Sequence, residues 1–75
     1  MLRLPAVKPK SLIKVLQSVG FVQHRKMSGS HLVLKHADGR RTTIPVHTKK
    51  EVPRGTLLAI LKDIKISKED FLKLL

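Results

Sequence analysis

Leu12, Ile13, Val15, Leu16 and Val19 recur at three- and four-residue intervals, the period of a helix with one apolar face. Pro9 suits the first helical position, where an N–H has no intrahelical partner, and Gly20 fits the left-handed position that closes a helix. Past Gly20 the period changes. Three β-prone runs, 21–27, 30–37 and 41–46, are separated by Ser28-Gly29 and Asp38-Gly39, pairs that favour tight turns. Runs joined so closely form an antiparallel meander. Pro45 cannot donate to a ladder and belongs on an edge or at a strand end. A polar stretch, 47–55, leads into Leu57, Leu58, Ile60, Leu61 and Ile64, again at helical spacing. Ser67 with Asp70 three residues later resembles a capping box. Phe71, Leu72, Leu74 and Leu75 then give a short third helix an apolar stripe, assigned to packing.

These elements predict an α+β fold, α-β-β-β-α with a three-stranded antiparallel sheet and a short C-terminal helix. The helices cover one face of the sheet and leave the other open for function. The 75 residues form a single domain, 1–75, with residues 1–7 read as a loosely ordered N-terminal extension.

Charge sharpens this picture most. Sixteen Lys and Arg against five Asp and Glu leave a formal charge of +11, a field that attracts polyanions: nucleic acid, an acidic protein or an anionic membrane surface. With no Trp or Tyr, and with Phe21 and Phe71 as the aromatics, a base-stacking platform is not expected, so backbone phosphates are the better target. The absence of Cys excludes disulfides and thiolate metal sites and suits a reducing cytoplasm. No run approaches the roughly 20 apolar residues of a membrane span, so a cytoplasmic protein without a membrane partner is expected.

The chain has no Gly-rich phosphate loop, nucleophile elbow or zinc-ligand spacing, and neither a metal nor a small-molecule cofactor is expected. That leaves His24, His31, His36 and His47. His24 and His36 have no distinctive setting and are read as solvated or hydrogen-bonded side chains. His31 opens a strand directly after Ser28-Gly29-Ser30, where a tight turn can project the imidazole at the sheet edge. Arg25, Lys26 and Lys35 can surround it with positive charge, which disfavours the imidazolium and keeps a proton acceptor available at neutral pH. RNA offers such an acceptor a 2′-OH that, once deprotonated, attacks the adjacent phosphate, and DNA does not. Lys49, Lys50 and Arg54 fit phosphate contacts, Arg54 at the start of the second helix, and His47 is a second candidate for the site or for RNA contact.

Several motifs follow one another in a recognisable order: Lys10-Ser11-Leu12-Ile13-Lys14-Val15-Leu16, Gly20-Phe21, Gly29-Ser30-His31, Asp38-Gly39-Arg40, Ile44-Pro45-Val46-His47, Val52-Pro53-Arg54-Gly55-Thr56-Leu57 and Ile60-Leu61-Lys62. Together they resemble the HicA-type (YcfA-like) mRNA interferase toxins. The resemblance implies a double-stranded-RNA-binding-domain-like fold, ribosome-independent cleavage of mRNA and inhibition by a cognate HicB antitoxin. It implies that His31 is catalytic and that Gly29 and Ser30 shape its turn. A charge of +11 calls for an acidic antitoxin. Between Gly20 and His31 the chain is one residue longer than the family spacing. A bulge would absorb it, and it leaves open which of Leu32 and Val33 faces the core. The proton donor for the leaving 5′ oxygen is equally open among Ser30, Lys26, water and His31 itself. Two other readings are a non-catalytic double-stranded RNA-binding module and a DNA-binding or scaffold protein.

Overall fold

A computed structural model of the chain describes residues 3–28, 31–46 and 50–75, with backbone only for residues 25–28. Helix α1 (Pro9–Ser18) is followed by strands β1 (Val22–Ser28), β2 (His31–Lys35) and β3 (Arg41–Pro45) and by helices α2 (Arg54–Ile64) and α3 (Lys68–Leu74). The strands form one antiparallel sheet in the order β1-β2-β3, the meander that the turn pairs predict. Pro9 is in the first turn of α1, and Gly20 just beyond its end has φ +101°. Pro45 closes an edge strand, where its missing N–H costs no ladder bond.

Strand β1 is longer than its partner. Its seven residues face the five of β2, and the register shifts twice, between Gln23 and Arg25 and between Lys26 and Ser28. The extra length is therefore taken up by two irregularities rather than one bulge. Leu32 and Leu34 join Ile44 of β3 in the core beneath the helices. Val33 is also buried but stands outside that cluster, in phase with His31 and Lys35.

From α1 the core takes Leu12, Val15 and Leu16, and from α2 Leu57, Ile60, Leu61 and Ile64. Phe21 and Phe71 complete it, each worth about 1.5–3 kcal/mol when fully removed from water. Thr42, buried on β3, donates its hydroxyl to the Asp63 carboxylate at 3.0 Å and so ties the sheet to α2.

Three findings go beyond the sequence reading. In the N-terminal segment Leu4 and Val7 are buried in the core, and the Val7 carbonyl accepts the Val52 N–H at 2.7 Å. A core this small gains from any apolar chain able to cover it. At the other end, Ser67 does cap α3 by accepting the Asp70 N–H, but of the apolar stripe Phe71 is buried while Leu74 and Leu75 are exposed. Two helical turns present one position squarely to the core. Finally, α2 ends on Lys65 in the left-handed conformation, φ 56°, where a glycine is commoner; the Ile66 N–H still reaches the Leu61 carbonyl to complete the cap.

The β2–β3 turn closes both main helices. His36 Nδ1 accepts the Asp38 N–H at 3.1 Å, so Nε2 carries the proton and donates to the Val19 carbonyl at the end of α1, 3.0 Å away. Arg40 donates to the Ile64 carbonyl at the end of α2 and binds Asp38 through Nε at 2.8 Å. Phe21 lies between them, edge-on to His36 and under the Arg40 guanidinium, each 5.1 Å from its ring centre. The Arg40 N–H, bonded to the Asp38 carboxylate, holds that carboxyl below the ordinary aspartate value of 3.8. Gly20 lets the chain pass this corner, since a Cβ there would stand 2.7 Å from His36 Nε2.

Candidate active site

His31 is the first residue of β2, paired with Ser28 on one side and Pro45 on the other. Leu32 and Leu34 belong to the core cluster and Val33 does not, and burial alternates along β3 with Thr42 bonded to Asp63 of α2, so Leu32, Leu34, Thr42 and Ile44 turn toward the helices. His31, Thr43 and Pro45 take the opposite phase, and His31 is exposed. These three line one side of a groove of about 550 Å³ whose other side is Lys50, Glu51, Pro53 and Thr56. The groove thus lies where the ends of β2 and β3 meet the segment leading into α2.

Its far wall is fixed in place although it is a loop. Val52, between the groove residues Glu51 and Pro53, is buried and bonded to Val7, so the N-terminal segment anchors this wall from behind. On that side a second hollow, about 200 Å³, is lined by Leu4, Pro5, Ala6, Glu51, Val52, Arg54 and Leu57. Glu51 borders both hollows.

Of the site residues expected from sequence, His31 and Lys50 come together in the groove. Lys35 shares the phase of His31 but lies at the other end of β2, roughly 13 Å along the strand at 3.3 Å per residue, and does not line the groove. Arg54 is in the first turn of α2 as expected, yet it faces the second hollow. Gly29, Ser30, His47 and Lys49 lie outside the described residues, as do the side chains of Arg25 and Lys26, whose backbones pair with Val33 and Leu32. Sequence reasoning missed Thr43, Glu51 and Thr56. Thr43 was findable, because a hairpin register that pairs Pro45 with His31 puts it two residues along on the same face. Glu51 and Thr56 carry no local signal. His36, read as a solvated or hydrogen-bonded side chain, is the hydrogen-bonded case.

Among the described residues no group of three His, Asp or Glu could hold a metal ion, and no helix is long and apolar enough to cross a membrane.

Residues 9–66 match the family model of the HicA toxin of bacterial toxin–antitoxin systems. The chain belongs to this family. None of the curated proteins compared with it gives a match. This HicA protein is therefore the toxin of a toxin–antitoxin pair, and an antitoxin is its partner. The matched region holds all seven groove residues. Leu4 and Val7 precede it and α3 follows it, so the anchor behind the far wall and the Phe71 plug lie beyond the family match.

Proposed function

We propose that this HicA toxin is a metal-independent endoribonuclease that cleaves mRNA without the ribosome, with His31 as its acid/base residue. The observation that carries the reading is the position of His31, exposed on a groove large enough for a nucleotide unit and accompanied there by Lys50. RNA brings its own nucleophile. The enzyme has to orient the 2′-OH toward the phosphate, move protons and stabilise the charge that builds on the phosphoryl oxygens. Lys50 serves the last task in the groove. Gly29 and Ser30 shape the turn before His31, and Arg25, Lys26, Lys35, His47, Lys49 and Arg54 extend the phosphate-binding surface on either side of it. The protein acts in the cytoplasm, where a HicB-type antitoxin rich in carboxylates neutralises the +11 surface and covers the groove.

The test is His31→Ala in the full chain. Its RNA cleavage and its toxicity on expression should fall by about 100- to 10,000-fold, the range for loss of a general acid or base. Circular dichroism and melting should stay unchanged, because His31 lies outside the core, and EDTA should not inhibit the wild type. A His31→Ala protein as active as the wild type would sink the proposal. A wild type that binds double-stranded RNA with steep salt dependence, yet leaves it intact, would favour the non-catalytic binding module.

A further inference from the structure

Resting on the reading of the groove as an RNA-cleaving site, we infer that Glu51 is the second proton-transfer residue, acting opposite His31. Cleavage by the 2′-OH needs two proton movements: one off the attacking oxygen and one onto the departing 5′ oxygen. Of the described residues lining the groove, Thr43, Pro45, Pro53 and Thr56 do not exchange protons near neutral pH, and Lys50 is a point charge suited to phosphate. His31 and Glu51 remain.

The other acidic residues support this assignment by what they are already doing. The chain has five. Asp38 pairs with Arg40, and Asp63 accepts the Thr42 hydroxyl. Glu69 and Asp70 occupy the first turn of α3, where the helix dipole favours negative charge. Glu51 has no side-chain hydrogen bond or ion pair among the described residues and is the acidic one of them that lines the groove. A carboxylate at that point repels the phosphates that a +11 protein otherwise attracts, so it is a cost to binding unless the reaction uses it. Its backbone is also held, because Val52 beside it is buried and tied to Val7.

The roles divide by charge. The Glu51 carboxylate takes the proton from the 2′-OH, and the 2′ oxygen forms its new bond to phosphorus. The bond from phosphorus to the 5′ oxygen breaks as the His31 imidazolium gives that oxygen its proton. The products are a 2′,3′-cyclic phosphate and a 5′-hydroxyl end, and the two side chains return to their starting states by exchange with water. His31 is then the acid of the pair.

The experiment compares full-length wild type, His31→Ala and Glu51→Gln on two RNA substrates. One is ordinary; the other carries sulfur in place of the 5′ bridging oxygen at the cleaved position, and its thiolate departs without a proton. Glu51→Gln should lose about 100-fold or more in kcat on both substrates. His31→Ala should lose as much on the oxygen substrate and recover most of it on the sulfur one. Glu51 is exposed, so Glu51→Gln should melt with the wild type, and Glu51→Ala replaces it if it does not. Should Glu51→Gln keep more than about a third of wild-type kcat on the oxygen substrate while the wild type cleaves, the inference fails and the proposed function stands. Sulfur rescue of Glu51→Gln instead of His31→Ala overturns the division of roles. A wild type that cleaves neither substrate overturns both.

Discussion

His31 and His36 stand at the two ends of β2, one its first residue and the other just past its last, and they have opposite surroundings. Both ring nitrogens of His36 are engaged, one with the Asp38 N–H and one with the Val19 carbonyl, and its ring packs on Phe21. A proton on that imidazole has a fixed place in the fold. His31 is exposed on a groove lined by Lys50 and Glu51, where a substrate can reach it. Position along a strand decides the difference: the groove end of β2 faces the segment leading into α2, and the far end faces the carboxyl ends of α1 and α2.

The contrast should break most sharply when each histidine is replaced in turn by asparagine. His31→Asn should lower RNA cleavage by about 100-fold or more and leave the melting temperature where it was. His36→Asn should do the reverse, keeping activity at temperatures where it is folded and losing about 1–3 kcal/mol of stability through unsatisfied partners. Equal effects of both on activity would erase the distinction.

Gly20→Ala presses on the structural corner alone. The positive φ by itself costs roughly 1–3 kcal/mol for a residue with a side chain, and the new Cβ would stand 2.7 Å from His36 Nε2. Adding His36→Ala should remove the steric part, so denaturant unfolding of the double variant should show a smaller loss than the sum of the singles.

Arg40→Lys should cost about 1–2 kcal/mol although the charge is kept, because a single ammonium cannot replace guanidinium bonds to Asp38 and Ile64 while covering the Phe21 ring. Chemical denaturation at neutral pH measures it.

The smallest effect sharpens the corner's electrostatics. The Asp38 carboxyl is held below its ordinary value, chiefly by the Arg40 N–H, so its folded state favours the ionised form. Its contribution is complete above the unfolded value of 3.8 and is lost as pH falls through the lower folded value. The stability gap between wild type and Asp38→Asn should therefore be present at pH 6 and shrink as pH falls below 3.8. A gap that widened on acidification would contradict the sign.

Much of the fold was legible because its signals are local. Pro9 and Gly20 bracket α1, Asp38-Gly39 turns β2 into β3, and leucine and isoleucine spacing gives α2. The second irregularity in β1 was not legible, since it depends on how Gln23 to Ser28 are matched to a partner strand. Nor was the anchoring of Leu4 and Val7, whose partners come from α2 and from Val52 far along the chain. Within the candidate site the same division holds. His31 announces itself through its turn, and Lys50 through its basic run. Glu51 becomes a neighbour of His31 only because the chain returns past the strand ends, and Arg54, one turn later, rotates to the other hollow.

The β2–β3 turn has a kinetic consequence as well. Its own bonds, His36 N–H to Arg40 and Gly39 N–H to His36, span a few residues, whereas its bonds to the helix ends reach 17 residues back to Val19 and 24 forward to Ile64. Closing the short hairpin is fast and cheap in chain entropy, and once closed it offers ready partners for the carbonyl ends of two helices still forming. Changes at Gly39 should then slow refolding, while changes at Arg40 that spare the turn should mainly speed unfolding, a split that the two arms of a chevron plot separate.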